Sequence, residues 1–137
     1  MKKTYTNTKK LERKQVFDKF GGKCAYCGRN LDIGKFQVDH VIPKSNFDSC
    51  LKNNFDIPEF LKHLCIEDCE HIDNKMPACA SCNLYKSSQS LRVFRMSVGD
   101  LVKQCRRTTQ FRIAERFGLV QENNIDVKFY FENYENN

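Results

Sequence analysis

The sequence predicts a single α+β domain held together by a metal site. Its length of 137 residues suits one domain with a modest core, and 40% apolar residues are typical of a globular chain. Helical and strand patterns alternate along the chain without a repeat or linker that would divide it. Two Cys-x-x-Cys pairs, which begin at Cys24 and Cys79, have the spacing of zinc ligands.

The first half of the chain predicts one helix and one strand. Residues 9–20 place apolar side chains on one helical face, and a glycine pair follows as a stop signal. After a tight knuckle around the first cysteine pair, residues 36–42 are rich in strand-forming residues until Pro43. Residues 46–73 have the composition of an acidic insertion, with a short helix within 57–64.

The second half of the chain predicts more helix and a closing strand. A short helix over 80–88 begins at the second cysteine pair, and residues 91–95 extend or follow it. Residues 97–100 resemble a capping box, which opens a helix that runs to Phe117. The alternation in residues 126–132 indicates a terminal strand. We expect the core side of the long helix to comprise Leu101, Val102, Cys105, Phe111, Ile113 and Phe117.

Basic residues concentrate in the two segments that carry the cysteine pairs. The chain has a net charge of +6, but residues 1–45 hold 11 Lys or Arg against 4 Asp or Glu, and residues 74–118 hold 9 against 2. Residues 46–73 hold 2 against 7 and are acidic. Because phosphate contacts dominate affinity for nucleic acids, this distribution fits a polyanionic partner, and a solvated charged surface is the equal alternative.

No stretch of the sequence predicts a membrane or export segment. The chain lacks an apolar run near the roughly 20 residues that span a bilayer. The basic N-terminus has no apolar stretch behind it, as a signal peptide would. We therefore expect a cytoplasmic protein with no membrane partner.

The paired cysteines favour metal binding over disulfides. Each Cys-x-x-Cys turn presents two sulfurs to one metal, and two turns complete a tetrahedron, so the predicted zinc is structural. Its ligands are Cys24, Cys27, Cys79 and Cys82. A second metal site is a weaker alternative, because its spacing is not distinctive; the candidates are His63, Cys65, Cys69 and His71.

The motifs between the cysteine pairs resemble those of the zinc-bearing HNH endonucleases. Asp39-His40-Val41-Ile42-Pro43 follows the first pair, and Asn74 precedes the second pair, which runs into Asn83 and Lys86. The resemblance covers roughly residues 20–95, and the flanks are similar to HNH endonucleases common in phage genomes. It implies a ββα-metal core, in which a two-stranded hairpin and a helix surround one divalent cation.

The resemblance assigns a catalytic role to several polar residues. It implies that His40 is the general base that deprotonates water, and that Asp39 and Asn83 bind a catalytic Mg²⁺ or Mn²⁺. Asn74 would hydrogen-bond the loop that orients His40. Many family members have His where this chain has Asn83, and the loss of an imidazole ligand shifts the preference toward hard cations.

The expected substrate is double-stranded DNA, contacted at its phosphates by Lys86 and Arg95. A single centre cuts one strand, so nicking by a monomer is the default expectation. Arg106 and Arg107 have two equal interpretations. They either contact DNA phosphates or form a solvated face of the helix. The alternatives are a zinc module that binds nucleic acid without cutting it, and a zinc domain that binds proteins.

Overall fold

A computed structural model of the chain describes residues 2–135. The architecture is α+β, as the sequence predicts. In this part of the chain, the regular elements are α1 (Lys2–Asp18), β1 (Gln37–His40), α2 (Phe47–Asn53), β2 (Lys75–Ala78), α3 (Ala80–Lys86), α4 (Leu91–Gly99), α5 (Leu101–Cys105) and α6 (Thr109–Arg116). Short 3-10 turns connect several of them, and none of the helices described is both long and apolar enough to cross a membrane.

The sheet consists of β1 and β2, which pair antiparallel. Gln37 lies opposite Ala78 and His40 lies opposite Lys75. Residues 41–74 connect the two strands and contain α2, which the sequence analysis did not predict. The short helix predicted within 57–64 is reduced to a 3-10 turn, Glu59–Leu61. A two-stranded sheet has only edge strands, so it accommodates a proline in β2.

An aromatic cluster forms the centre of the core. The ring of Tyr26 lies edge-on to Phe94 and Phe129, with centroid distances of 5.3 Å to each. Phe94 and Phe129 stack on each other at 5.2 Å. All three side chains are buried. The cluster therefore joins the cysteine knuckle, α4 and the C-terminal segment.

The prediction of one long helix that ends at Phe117 is wrong. Residues 97–99 end α4 instead of capping a new helix, and a break at 106–108 separates α5 from α6. Thr108 has an extended backbone, and its hydroxyl accepts a hydrogen bond from the N–H of Phe111, so it starts α6 afresh. The predicted core residues of this region are largely accessible, with Phe117 78% exposed.

The predicted strand over 126–132 does not form. The N–H groups of Tyr130 and Phe131 donate to the carbonyls of Tyr26 and Ala25, at 3.0 and 2.9 Å. Tyr130–Asn133 then turns into a 3-10 helix. The alternation of apolar residues reflects burial of Phe129 in the aromatic cluster, because the segment pairs with the knuckle and not with a strand.

The knuckle and the C-terminal segment meet most closely at Gly28. Its φ of +77° lies in the left-handed region, and a Cβ there would lie 2.8 Å from Cδ2 of Tyr130. Gly118 has a similar φ of +72°, but a Cβ there meets nothing within 4 Å. Alanine substitutions at the two glycines therefore distinguish the cost of backbone strain, which both share, from the cost of a steric conflict, which only Gly28 has.

We predict that Gly28→Ala destabilises the zinc-loaded protein more than Gly118→Ala does. Both substitutions incur a left-handed backbone cost of about 1–2 kcal/mol. Only Gly28→Ala adds an overpacking cost of about 1–3 kcal/mol against Tyr130. Urea unfolding measures both differences, and equal losses in the two variants would contradict the close contact.

Candidate functional site

Four cysteines from two distant parts of the chain converge on one point. The sulfur atoms of Cys24, Cys27, Cys79 and Cys82 all lie within 4.8 Å of one another. The sulfurs of Cys27 and Cys79 are 3.8 Å apart. A tetrahedron with Zn–S bonds of about 2.3 Å has S···S edges of about 3.8 Å, so the residues fit a zinc ion. The predicted cysteine cluster is confirmed as a group able to hold a structural metal.

Backbone amides and neighbouring thiols prepare the cluster for a cation. The N–H of Cys79 points at the sulfur of Cys24, and the N–H of Cys82 points at the sulfur of Cys79, each at 3.4 Å. The side-chain hydrogen bond with Cys82 and backbone N–H donors lower the pKa of Cys24 to about 4 against the opposing effect of burial. Cys24 is therefore favoured as the thiolate, which is the form that binds metal, whereas burial raises the pKa of Cys27 and the hydrogen bond with Cys24 raises the pKa of Cys82.

We predict that Cys82→Ser releases the structural zinc and destabilises the fold by more than about 3 kcal/mol, because metal binding supplies folding energy in small domains. Cys105→Ser is the matched control, since Cys105 lies exposed in α5. Metal analysis and thermal unfolding measure the outcome. Full stability of Cys82→Ser without bound metal would show that the core folds independently of the cluster.

Asp39 lies on the buried side of β1 in a closed ion pair. Its Oδ2 accepts a hydrogen bond from the Tyr26 hydroxyl at 2.5 Å and lies 3.1 Å from Nζ of Lys86. The lysine also contacts Oδ1 at 3.4 Å and donates to the His40 carbonyl at 3.0 Å. Burial raises the pKa of Asp39 and lowers that of Lys86, while the attraction between them opposes both shifts.

This pair changes the interpretation of two predicted site residues. The Lys86 side chain is 0% exposed, so it is out of reach of a phosphate in this arrangement. Both oxygens of Asp39 are engaged, and Asn83 lies half-buried in α3. The predicted pair therefore does not fit a catalytic Mg²⁺ or Mn²⁺ as it stands, because Asp39 has no free oxygen and Asn83 alone supplies one neutral donor.

His40 has a different environment from Asp39. Its Nε2 lies 3.2 Å from Oε1 of Glu70. Although burial opposes it, hydrogen bonds from Lys75, Lys44 and His40 lower the pKa of Glu70 to about 2. Glu70 is therefore ionised and only accepts, so Nε2 carries the proton and Nδ1 is the unprotonated nitrogen. Burial lowers the pKa of His40, which favours the neutral imidazole at pH 7.

Asn74 fixes the chain directly after His40. Its Oδ1 accepts from the N–H of Ile42 at 2.8 Å, and its Nδ2 donates to the carbonyls of Ile42 and Cys69 at 3.1 and 3.0 Å. Its own carbonyl accepts from the N–H of Val41 at 2.8 Å. Because the side chain is 0% exposed, these bonds form in a dry environment where they are strong. Asn74 therefore positions His40 without reaching a substrate itself.

A cavity of about 300 Å³ lies beside His40. Its wall contains basic side chains from α1 and β2 together with two carboxylates, namely Lys9, Arg13, Lys75, Glu12 and Glu70. Lys75 forms ion pairs with Glu12 and Glu70. The space next to the imidazole is thus lined by apolar surface together with charged groups, and Lys75 is already paired with two carboxylates.

Two arginines that were candidates for phosphate contacts form ion pairs within the protein instead. Arg95 pairs with Glu132, donates to the carbonyl of Val127 at 2.9 Å and lies 4.5 Å from the centre of the Phe129 ring. Arg106 pairs with Glu115 and Glu122. The structure therefore gives Arg95 and Arg106 internal roles, while Arg107 is exposed on the surface.

The second metal site considered in the sequence analysis has a different set of candidate ligands in the structure. Ligand atoms of His63 and His71 converge with a carboxylate oxygen of Asp73, and all lie within 4.8 Å of one another. Cys65 and Cys69 are outside this group. The sequence analysis thus identified the two histidines but missed their carboxylate partner.

The sequence analysis missed Glu70 and the role of Tyr26 at this site. Glu70 was visible only as one residue of an acidic cluster, although its place shortly before Asn74 was a signal that it lies near β2. Tyr26 lies in the aromatic cluster, and its hydroxyl donates a hydrogen bond to Asp39. Comparisons with protein-family models, curated proteins and solved structures gave no match.

We predict that Lys86→Met destabilises the protein by about 3–5 kcal/mol, because it leaves the Asp39 carboxylate buried without a counterion. The double variant Asp39→Asn/Lys86→Met removes both charges and is expected to recover most of the loss. Urea unfolding of zinc-loaded protein measures the double-mutant cycle. Losses that simply add would show that the two groups do not interact.

Proposed function

We propose that the chain is a DNA endonuclease that hydrolyses phosphodiester bonds, with His40 as the general base. The observation that carries the proposal is the His40–Glu70 pair, in which an ionised carboxylate orients a neutral imidazole. The pair lines a cavity that also contains charged side chains from α1 and β2. It also occupies the position that the resemblance to HNH endonucleases assigns to the base.

The proposed chemistry uses the two nitrogens of His40 in separate roles. Nδ1 takes a proton from water, whose oxygen attacks the phosphorus atom. Glu70 keeps Nε2 in place and stabilises the imidazolium that forms, as the orienting acid does in a catalytic triad. The bond from phosphorus to the 3′ oxygen breaks, and that oxygen takes up a proton from solvent. The products carry 5′-phosphate and 3′-hydroxyl ends.

Metal dependence remains an expectation from the resemblance. A divalent cation would stabilise charge on the phosphate and the leaving oxygen. The Asp39 carboxylate is occupied by Lys86 and the Tyr26 hydroxyl, so the proposed reaction does not route a step through a cation bound to Asp39. Asn74 contributes by holding the segment after His40, which keeps the imidazole directed at the cavity.

Double-stranded DNA is the proposed substrate because of the charge of the motif-bearing segments. Arg107, which is exposed on the surface, is a candidate for the phosphate contacts that the buried Lys86 does not make. A single centre of this kind nicks one strand per encounter. Binding is expected to weaken steeply with salt, which would separate a nucleic-acid partner from a protein partner.

A second candidate function has one observation in its favour. The closed Asp39–Lys86 pair leaves no free oxygen on the Asp39 carboxylate, which suits a zinc module that binds nucleic acid without cutting it. That function needs the cysteine cluster and the basic surface, but it does not need the His40–Glu70 pair. Cleavage by the zinc-loaded protein decides between the two.

We predict that zinc-loaded protein nicks supercoiled plasmid when Mg²⁺ or Mn²⁺ is added. His40→Ala is expected to lower the rate at least about 100-fold, the ordinary contribution of a general base. Glu70→Gln should give a smaller loss, because it removes the charge that orients the ring. The matched control is Glu67→Gln, which changes an exposed carboxylate in the same insertion.

Omission of the added cation is a better control than a chelator, because a chelator also strips the cysteine cluster. Zinc content and circular dichroism establish that every variant is folded. Folded, zinc-loaded protein that shifts DNA in a gel but leaves the plasmid intact would support the non-catalytic module. Equal cleavage by the wild type and His40→Ala would remove His40 from the mechanism.

A further inference from the structure

We propose that His63, His71 and Asp73 form a second metal site, separate from the cysteine cluster, for a divalent transition ion such as Zn²⁺. Two of the three histidines in the chain meet there. The proposal does not rest on the proposed nuclease function, because it concerns residues outside the His40 cavity.

The spacing of the donor atoms matches a single ion. Oδ2 of Asp73 lies 2.9 Å from Nε2 of His63 and 3.7 Å from Nδ1 of His71. Ligands at about 2.1 Å from one metal lie about 2.9–3.4 Å apart in octahedral or tetrahedral geometry. The two imidazole rings are roughly perpendicular, with centroids 5.9 Å apart. Small side-chain rotations would therefore bring three donors onto one ion.

The donor set selects the class of ion. Imidazole nitrogens with a carboxylate suit zinc, copper, nickel and cobalt, whereas magnesium and calcium prefer oxygen ligands alone. Three protein ligands leave a coordination position for water. The side chains are 53%, 40% and 44% exposed for His63, His71 and Asp73, so an ion can enter without opening the fold.

Two neighbouring interactions weaken the expected affinity of this site for a metal ion. Lys19 attracts Asp73, but its ammonium donates to the carbonyls of Ile72 and Lys75 at 2.8 and 2.6 Å, and it repels a bound cation. His71 Nδ1 accepts from the N–H of Asp73 at 3.1 Å, and ligation through this nitrogen would replace that bond. The turn would keep the bond from the Asn74 N–H to the His71 carbonyl at 2.9 Å.

The site links two parts of the insertion, the segment at His63 and the turn that precedes β2. His63 follows the 3-10 turn Glu59–Leu61, while His71 and Asp73 belong to the turn that ends at Asn74. A bound ion would brace this turn, and with it the amide of Asn74 that holds the segment after His40. The expected consequence is greater stability when the ion is present.

The test is calorimetric titration of Zn²⁺ into protein that lacks a polyhistidine tag and already carries one zinc per chain. We expect one further equivalent to bind and to raise the melting temperature. His63→Ala and Asp73→Asn should each weaken this second equivalent at least about tenfold while keeping the first. Mg²⁺ in place of Zn²⁺ should not raise the melting temperature.

Two matched controls lie in the same insertion. Glu67→Gln removes an exposed charge outside the cluster, and Cys65→Ser removes a nearby thiol, so neither should change the second equivalent. Cobalt substituted into the cysteine cluster gives a thiolate charge-transfer band that establishes the fold of each variant. A wild type that saturates at one equivalent would overturn the proposal. Retention of the second equivalent in His63→Ala, or its loss in Cys65→Ser, would do so as well.

Discussion

The convergence of four thiolates is the constraint on which the rest of the structure depends. It brings the knuckle that starts at Cys24 against the junction of β2 and α3, which lies more than fifty residues away in the chain. Cys79 serves both sides of that junction, because it follows β2 and caps α3. Once the knuckle is placed, its backbone provides the partners for other segments. Ala25 donates to Pro77 in β2 and accepts from Phe131, and Tyr26 accepts from Tyr130. The turn that contributes Cys24 and Cys27 to the cysteine cluster thus organises the sheet, the helix and the C-terminal segment together.

The same constraint gives the two neighbouring polar residues of β1 opposite environments. Tyr26 projects from the knuckle into the core, where its hydroxyl meets Asp39 together with Lys86. His40 follows on the strand and faces Glu70, which stays ionised because lysines surround it. A buried ion pair is costly to desolvate and contributes specificity more than net stability. Burial favours the neutral imidazole of His40 at pH 7. One strand therefore carries an internal ion pair and, beside it, a largely buried imidazole that lines a cavity.

The sequence was sufficient where the pattern is local or where residue types are rare. The cysteine spacing predicted the metal cluster, and the apolar face of residues 9–20 predicted most of α1. The sequence was insufficient where a tertiary contact determines the burial or the conformation of a residue. Lysine is usually a surface residue, and only the packing of α3 on β1 shows that Lys86 is buried. The alternation near Phe129 was interpreted as a strand, whereas the aromatic cluster accounts for it. Thr108 ended a helix that apolar periodicity alone would continue, because a side-chain cap competes locally with helix propagation.

The acidic residues of the insertion form one block in the sequence, yet several of them pair with residues of the basic segments in space. Glu70 pairs with Lys44 and Lys75, which come from the two basic segments, and Asp56 pairs with Arg92 in α4. Blocks of like charge along the chain therefore do not become blocks of like charge on the surface. Net charge alone overstates the attraction for a polyanion, because part of the basic surplus is neutralised within the fold. What distinguishes the cavity at His40 is the local arrangement, in which ionised Glu70 is matched by lysines and holds a neutral imidazole. The acidic insertion thereby contributes to the proposed chemistry in place of repelling its substrate.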